Sequence, residues 1–244
     1  MTILRAIAAG QHSGIGLQDV ATATGLSRPT VHRMLKAMIE EGMVEQHPRS
    51  RRYAIGEQVP MLALARRKRP AIMNAAERFI EQLAREIGDT AFLTVPTGDD
   101  TLCLVRRMGG YPIQVLVIDV GARRPLGVSS AGVTMLSRLD PAEADAIIAR
   151  NTPRFSSYRV TPKTVAARVA ETRGARSFCS DPGLVPGTKA MSLPIVDALG
   201  APIGAISVAA VRQRLRPQRV EELTDILGGY CKQISHLVAS GQEN

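Results

Sequence analysis

Residues 17–55 restrict the fold of this chain more than any other stretch, because their spacing matches two helices joined by a sharp turn. Ala21 is small enough for the helices to cross closely, and Gly25 can adopt the left-handed backbone of the turn without steric strain. Val31 follows six residues after the glycine, where it would anchor the second helix on the first. The pattern predicts a helix-turn-helix, an arrangement suited to the major groove of duplex DNA.

The second helix is specified at its start and along both faces. Ser27 is a natural N-cap, and Pro29 falls in the first turn, where its missing N–H has little effect. Apolar side chains recur at helical spacing and predict one buried stripe of Val31, Met34, Leu35, Met38 and Ile39. The opposite face is polar and cationic, and the residues that we expect to contact DNA from it are Ser27, Arg28, Thr30, His32, Arg33 and Lys36. The alternative is the solvated face of an ordinary amphipathic helix.

A basic hairpin follows the second helix. Gly42 ends that helix, and two short alternating runs, residues 43–47 and 52–55, predict a pair of antiparallel strands. Their tip contains three arginines that we expect to contact phosphate or the minor groove: Arg49, Arg51 and Arg52. A basic loop by itself is usually only solvated, but its place directly after a recognition-type helix favours a winged helix-turn-helix.

Positive charge is concentrated in the part of the chain that contains this motif. The 244 residues carry a formal net charge of +9. Residues 1–69 contain 11 Lys and Arg against 5 Asp and Glu, while residues 70–244 contain 20 against 17. This asymmetry is typical of a phosphate-binding module joined to a nearly neutral domain, and it argues against a basic coat over the whole chain.

Cysteine spacing and hydropathy exclude several other classes of protein. Cys103, Cys179 and Cys231 are odd in number and irregularly spaced, so they match neither a zinc motif nor a disulfide framework. No apolar run approaches the ~20 residues of a transmembrane helix, and the first residues are too few for a secretion signal. We therefore expect a soluble, cytoplasmic protein without a metal ion or cofactor.

The chain is predicted to contain three parts. Residues 1–56 form the winged helix-turn-helix, residues 57–69 a linker helix that ends in four basic residues, and residues 70–244 a larger domain. A first helix over Thr2–Ala9 is short for the start of such a module, which leaves open whether a leader segment precedes it.

From residue 70 onward, the pattern predicts an antiparallel sheet flanked by helices, which defines the α+β class. A long amphipathic helix closes at Gly88, and a last one begins near Pro217. Further helices are predicted over residues 130–138, from residue 141, and from residue 162 to 174. The predicted strands cover residues 91–97, 101–107, 112–118, 176–179, 190–196 and 203–211.

These features together resemble the IclR family of transcriptional regulators over nearly the whole chain. The specific matches are residues 24–33 (TGLSRPTVHR) in the helix-turn-helix and residues 52–56 (RYAIG) after the hairpin tip. Looser matches follow at residues 125–126 (PL), 129–132 (SSAG), 186–187 (PG) and 192–194 (SLP). The resemblance implies that residues 70–244 form a GAF-like effector-binding and oligomerisation domain. It also implies that homodimers or homotetramers grip double-stranded operator DNA.

Carried over position by position, the family's effector pocket corresponds to six small or hydroxyl-bearing residues. These are Ser130, Ala131, Ser180, Ala190, Ser207 and Ala209. Family members usually have a lysine in place of Val133, and acidic or thiol side chains in place of Ser180 and Ala190. Because such a cavity supplies few hydrogen bonds to a small charged acid, we expect a fairly apolar or aromatic effector. A single carboxylate on it would be met by a backbone N–H, a serine or Lys189.

The sequence leaves two other functions open. A ligand-independent DNA-binding oligomer would explain the N-terminal region equally well. An enzyme would need catalytic residues in the larger domain, but residues 127–131 (GVSSA) lack the nucleophile-elbow spacing. His236 is the only histidine of that domain, and Cys179 with Asp181 is too small a set for a metal site. The sequence does not distinguish a repressor from an activator, and it identifies neither the effector nor the operator.

Overall fold

The computed structural model describes residues 2–10, 14–65, 71–181 and 183–240. Backbone contacts divide the chain into two compact units, Met1–Arg69 and Pro70–Asn244. Features of the sequence that lie outside the described residues are His12, Pro182 and the basic end of the predicted linker at residues 66–69. Within the described ranges, no helix has both the length and the apolar character needed to cross a membrane.

The first unit is a winged helix-turn-helix. Its elements, in chain order, are α1 (Thr2–Ala9), α2 (Leu17–Thr24), α3 (Arg28–Glu40), β1 (Val44–Gln46), β2 (Tyr53–Ile55) and α4 (Gln58–Ala65). The two strands pair antiparallel, with Val44 opposite Ile55 and Gln46 opposite Tyr53. Both strands are shorter than predicted, since Met43, His47 and Arg52 lie outside the paired segments and residues 48–50 form the turn between them.

The turn between α2 and α3 forms from local interactions. Gly25 caps α2 with a left-handed backbone (φ 69°), and its N–H donates to the carbonyl oxygen of Ala21 at 2.9 Å. Ser27 caps α3, because its Oγ accepts the N–H of Thr30 at 3.4 Å. Pro29 lies in the first turn, where no intrahelical N–H is needed. These contacts confirm where the sequence places the end of α2 and the start of α3.

The core of the first unit is built on the inward faces of α1, α2 and α3. Val31 is fully buried and Leu35 is 1% exposed, whereas Met34 and Ile39 are 37% and 38% exposed. The apolar stripe of α3 is therefore narrower than predicted, and the helix presents a wider face outward. The buried cluster comprises Ile3, Ile7, Val20, Ala21, Val31, Leu35, Val44 and Tyr53.

The second unit has the predicted α+β architecture. Its strands are β3 (Thr90–Thr97), β4 (Asp100–Arg107), β5 (Arg123–Pro125), β6 (Phe178–Ser180), β7 (Thr188–Val196) and β8 (Pro202–Val211). Its helices are α5 (Ala71–Ile87), α6 (Ser130–Leu136), α7 (Pro141–Phe155), α8 (Pro162–Thr172) and α9 (Pro217–Ser240). The strands form an antiparallel sheet in the order β5-β4-β3-β8-β7-β6.

The sheet carries helices on both faces, because apolar residues alternate along its central strands. On β8, Ile206 and Val208 belong to the core that also contains residues of α5 and α9, whereas Ala205 packs with α6, α7 and α8. Ala209 instead joins a separate small cluster with Phe92. Helices therefore cover only part of the second face, and the remaining part contains the candidate ligand site.

The prediction of a strand over residues 112–118 is wrong. Residues 108–122, which we call the strap, connect β4 to β5 without forming a ladder. Val117 and Ile118 of the strap pack against the cluster on the second face of the sheet. Their carbonyl oxygens accept N–H groups from arginine side chains rather than from a neighbouring strand. β5 itself has no counterpart among the predicted strands, because its three residues are too few to leave a periodic pattern.

Candidate DNA-binding face and ligand cavity

The outward face of α3 presents side chains predicted to contact DNA. Arg28, His32, Arg33 and Lys36 are all exposed to solvent. At 3.6 residues per turn, Arg33 and Lys36 lie on the side of the helix away from the buried Val31 and Leu35, whereas Arg28 and His32 lie nearer that buried stripe in the first turns. An exposed helix surface of cations and an imidazole fits the major groove, where arginine reads guanine and lysine meets phosphate.

Ser27 and Thr30 have a structural role before any contact with DNA. Their hydroxyl oxygens lie 2.8 Å apart, and Ser27 Oγ also accepts the backbone N–H of Thr30. A hydroxyl group has one donor and two acceptor sites, so each side chain retains capacity for a phosphate oxygen. Both residues stay candidate DNA contacts at the start of the helix.

The wing tip holds Arg49 and Arg51 in solvent. Arg51 has a left-handed backbone (φ 56°), and its N–H donates to the carbonyl oxygen of His47 at 2.9 Å. The N–H of Ser50 donates to His47 Nδ1 at 3.2 Å, so the imidazole stiffens the turn. Non-glycine residues rarely adopt this backbone conformation, and strain of this kind is common where side chains are held for function.

Arg52 has a different environment from the other two wing arginines. Its Nε and Nη2 donate to the carbonyl oxygen of Gly14 at 3.1 and 3.0 Å. Ile15 also pairs with Tyr53 as an isolated bridge, so the wing is tied to the segment that precedes α2. Arg52 is therefore partly a structural residue, a role that its sequence context does not indicate. Its side chain is still exposed, and it stays a candidate DNA contact.

The cations of this surface have no partner acid in the described part of the first unit. No Lys or Arg among residues 2–10 and 14–65 lies within 4.0 Å of a carboxylate oxygen of another described residue. Because no internal ion pair competes for these side chains, their positive charge is available to a polyanion in solution.

A cavity of about 330 Å³ opens on the second face of the sheet in the second unit. It is lined by all six residues that the family resemblance assigns to an effector pocket: Ser130, Ala131, Ser180, Ala190, Ser207 and Ala209. The antiparallel register accounts for part of this convergence, because Ala190 lies opposite both Ser180 and Ala209. The structure therefore brings together at one site residues from α6, β6, β7 and β8.

The first turn of α6 approaches the neighbouring loop closely because it is built from small residues. Ser129 caps the helix, since its Oγ accepts the N–H of Gly132 at 3.2 Å. A Cβ atom on Gly132 would lie 2.7 Å from the backbone nitrogen of Gly127, so a larger residue would not fit this crossing. The close packing positions Ser130 and Ala131 at the cavity wall.

Several hydroxyl groups of the cavity are already bonded to the protein. Ser180 Oγ donates to the carbonyl oxygen of Ala190 at 3.1 Å, and Ser207 Oγ donates to Ser192 Oγ at 3.1 Å. Much of the remaining wall is apolar and comes from Phe92, Val117, Val128, Val160 and Leu184. Together with the small side chains at the serine and alanine positions, these apolar residues give this part of the cavity the low polarity that the sequence predicts.

Three arginines that were not predicted also line the cavity: Arg124, Arg159 and Arg168. Arg124 is half-buried on β5 and donates to the carbonyl oxygen of Val117 in the strap. Burial lowers the pKa of Arg124, because desolvation disfavours its charged form. Arg124 directly precedes the matched residues 125–126, so a local signal for it existed. Arg159 and Arg168 reach the cavity only through tertiary packing, which no local pattern reveals.

Lys189, one of three groups expected to meet an effector carboxylate, makes other contacts. Its Nζ lies 2.8 Å from Asp181 Oδ2 and donates to the carbonyl oxygen of Leu215 at 3.4 Å. The hydrogen bond from Lys189 lowers the pKa of the Asp181 carboxyl group. Lys189 is absent from the described cavity lining, because neighbouring residues of a strand point to opposite faces and Ala190 faces the cavity. The structure therefore does not place Lys189 at the cavity, which leaves a backbone N–H or a serine of the three groups expected.

None of the three cysteines of the second unit, nor His236, is among the described residues that line the cavity. Burial raises the pKa of Cys103 to about 11 and that of Cys231 to about 12, so both are protonated thiols near neutral pH. Burial also raises the pKa of Cys179. His236 is exposed on α9. Among the residues that the structure describes, no group of three or more His, Cys, Asp or Glu is placed to hold a metal ion.

Two protein-family models match the chain. The IclR helix-turn-helix domain matches residues 1–48, and the domain described as bacterial transcriptional regulator IclR C-terminal matches residues 65–236. Together, the two models account for most of both compact units.

Similar proteins extend over nearly the same length. The glycerol operon regulatory protein of Streptomyces griseus is 27% identical over 216 residues, which cover 88% of this chain and 84% of that protein. An IclR transcriptional regulator from Alicyclobacillus acidocaldarius has a crystal structure that matches with a TM-score of 0.78 at 20% identity, covering 97% of this chain and 95% of the other. The crystal structure of an IclR homolog from Microbacterium hydrocarbonoxydans, complexed with 4-hydroxybenzoate, matches with a TM-score of 0.72 at 21% identity, covering 98% of this chain and 100% of the other.

Proposed function

Because this chain belongs to the IclR family of DNA-binding transcriptional regulators, whose C-terminal domain binds an effector, we propose that its effector changes its affinity for operator DNA. In this proposal, α3 and the wing contact the operator, and the cavity of the second unit holds a fairly apolar or aromatic acid. The protein works in the cytoplasm as a homodimer or homotetramer, without a metal ion or cofactor. Its homologues are transcriptional regulators and not enzymes.

The proposed DNA contacts divide into those that read bases and those that hold the backbone. Arg33 lies in the middle of the outward face of α3, where a guanidinium can read a guanine edge in the major groove. Lys36, Arg49 and Arg51 would meet phosphates and fix the register of the protein on the duplex. The absence of internal ion pairs among the described residues of this unit supports the assignment, since each cation is available.

The convergence of six family positions on one cavity is the observation that carries the effector part of the proposal. A volume of about 330 Å³ suits a small molecule. The homolog from Microbacterium hydrocarbonoxydans is complexed with 4-hydroxybenzoate, an aromatic acid, which supports an effector of similar chemistry here. A ligand-independent oligomer would have no need for such a cavity, so the effector-dependent function is the better supported of the two.

In this proposal, effector binding alters operator binding by changing the separation of two recognition helices. Half-sites on DNA lie about 34 Å apart, or a multiple of that distance, so a dimer grips them only in the right arrangement. An effector that binds one arrangement better shifts the population toward it. A coupling of about 1–3 kcal/mol would change operator affinity by about 5–150-fold. We assign the transmission of this change to the predicted linker, residues 57–69, whose described part contains α4.

Selection of genomic DNA fragments by the purified full-length protein tests the DNA part of the proposal. We expect a defined operator to be enriched. Fluorescence anisotropy on that operator, with a panel of aromatic and short aliphatic acids, then tests the effector part. At least one apolar or aromatic acid should change operator affinity by about 5–150-fold.

Three results would contradict different parts of this proposal. If no duplex fragment is preferred, with or without metabolites, the DNA-binding role of α3 fails. If the operator is bound but no acid of the panel changes the affinity or the thermal stability, the ligand-independent oligomer is the better description. Tight binding of short aliphatic acids alone would contradict an apolar or aromatic effector.

A further inference from the structure

The arginines of the cavity differ from most other arginines of the second unit. Ten arginines in the described ranges of this unit lie within 4.0 Å of a carboxylate oxygen. Arg124, Arg159 and Arg168 line the cavity, and no carboxylate of a described residue lies within that distance of them. Asp119 acts on Arg124 electrostatically, but it is bonded to Arg106. Three arginines therefore line the cavity without a partner acid at ion-pair distance among the described residues.

The cavity supplies no negative charge of its own. None of the described residues that line it is an aspartate or a glutamate. Arg124 and Arg168 are half-buried, and Arg159 is more exposed. Arginine does not release its proton in proteins, so a guanidinium at a largely apolar cavity retains a charge that an anion would offset best. The lowered pKa of Arg124 reflects the same penalty on its charged form.

The three guanidinium groups come from separate elements around the cavity. Arg124 lies on β5 and Arg168 on α8. Arg159 follows the short 3-10 turn Ser156–Tyr158, where it has a left-handed backbone (φ 56°). One carboxylate makes a bidentate contact with one guanidinium and neutralises a single charge. Guanidinium groups on separate elements are therefore best matched by negative charge at more than one place on the ligand.

We propose that the effector carries at least two negatively charged groups on an apolar or aromatic body, as an aromatic dicarboxylate does. Arg124 and Arg168 each bind one of the acidic groups, and Arg159 adds positive potential on the more exposed side. The inference rests on the proposed function, since it names the chemical class of the same effector. The sequence alone predicts one carboxylate on the effector, whereas the cavity arginines favour at least two acidic groups. In this inference, arginines rather than serines determine which effector binds.

Isothermal titration calorimetry of the full-length protein with matched aromatic probes tests this inference. The probes are benzamide with no charge, benzoate with a single charge, and the dicarboxylates phthalate, isophthalate and terephthalate, whose acidic groups differ in spacing. At least one dicarboxylate should bind about 10-fold or more tightly than benzoate, and benzamide should bind most weakly. Added salt should weaken dicarboxylate binding more than benzoate binding, because salt screens each charge pair.

Arg168→Gln is a sharper variant than Arg124→Gln, because Arg124 also holds the strap through Val117. In Arg168→Gln, the preference for a dicarboxylate over benzoate should fall to near parity. The ligand-free variant should unfold at a higher temperature than the wild type, because an unpaired charge is removed from the cavity. A purely structural role for Arg168 would lower that temperature instead. Arg168→Lys retains the charge and should restore part of the preference.

Arg138→Gln is the matched control. Arg138 is exposed, its guanidinium donates to the carbonyl oxygen of Ala175 at 3.3 Å, and it does not line the cavity. This variant should leave every dissociation constant unchanged.

Three outcomes would overturn the inference. The first is that benzoate or benzamide binds as tightly as the best dicarboxylate. The second is that Arg168→Gln retains the dicarboxylate preference. The third is that no dicarboxylate binds at millimolar concentration. Each of them leaves operator selection by the ligand-free protein untouched, so they are distinguishable from a failure of the proposed function. Dicarboxylate binding that does not change operator affinity would support the ligand chemistry assigned to the cavity and contradict the effector-dependent regulation.

Discussion

The two units of this protein differ in how they use basic side chains. In the first unit, the exposed cations of α3 and the wing have no carboxylate partner among the described residues. In the second unit, ten described arginines lie against an aspartate or glutamate. An exposed pair stabilises a fold by about 1 kcal/mol at most, but it occupies the cation. A cation without an internal partner is available to an anion from outside the chain.

The difference also separates two kinds of binding site within one chain. The unpaired cations of the first unit lie on a helix and a loop in water, where a long polyanion can reach many of them at once. Three of the cations without a carboxylate partner in the second unit, Arg124, Arg159 and Arg168, line a cavity of about 330 Å³, which admits only a small molecule. The same feature therefore indicates DNA in the first unit and a small acid in the second.

The largest effect on stability is expected where an ion pair is most buried. Asp89 is 1% exposed, and its two oxygens accept hydrogen bonds from Arg214 at 2.6 and 3.0 Å. Arg214 also lies over the ring of Tyr111 at 3.9 Å. Asp89→Asn should destabilise the second unit by about 2–4 kcal/mol, somewhat below the range for fully buried pairs because Arg214 is partly exposed. Chemical unfolding followed by circular dichroism measures this, and a loss below about 1 kcal/mol would contradict a stabilising role for the pair.

Arg33→Ala should change operator selectivity and leave stability unaltered. Loss of a base contact should reduce operator affinity by about 1–3 kcal/mol and relax the preference at one base position. The unfolding midpoint should not move, because Arg33 is exposed and has no described acidic partner. Selection from a randomised operator library by both proteins measures the change. Full selectivity in the variant would show that α3 does not read bases through this residue.

Arg52 and Arg49 provide a matched comparison within the wing. Arg52→Met removes the two hydrogen bonds to the Gly14 carbonyl oxygen and should destabilise the first unit by about 1 kcal/mol. Arg49→Met should leave stability unchanged, because Arg49 is exposed at the wing tip. Both variants should bind DNA more weakly. Thermal unfolding of the two proteins distinguishes the roles, and equal midpoints would mean that the Gly14 contact contributes nothing.

The smallest effect is expected for an exposed pair. Arg150 donates from Nε and Nη2 to the two carboxylate oxygens of Asp99 at 2.9 and 2.8 Å. Water screens this pair, so Arg150→Gln should leave the unfolding midpoint, the operator affinity and the dicarboxylate affinity at wild-type values. If either affinity changed clearly, an arginine paired with an acid inside the protein would also contribute to binding. The distinction between paired and unpaired cations would then fail.

The helix-turn-helix could be predicted because its determinants are local. Gly25, Ser27 and Val31 act within a few residues of their own positions, and the structure confirms the turn, the cap and the buried anchor. The link from Arg52 to Gly14 could not be predicted in the same way. The two residues are 38 positions apart, and their contact depends on how the wing folds back on the segment before α2.

The second unit could be predicted at the level of its elements, but less well where side chains from distant elements meet. The strap is rich in β-branched residues, which favour a strand, yet Val117 and Ile118 pack against the cluster around Phe92 without forming a strand. The six small residues at the cavity follow from the family resemblance. Arg159 and Arg168 do not, because only the packing of the chain around α7 and α8 brings them to the cavity.

The salt dependence of operator binding tests most directly whether cations without internal partners are the ones that bind DNA. For the wild type, the logarithm of the affinity should fall linearly with the logarithm of the salt concentration, because bound phosphates release counterions. Arg51→Asn suits the left-handed backbone at the wing tip, and it should reduce the slope by about 1 while weakening all sequences evenly. An unchanged slope and affinity in this variant would contradict the account.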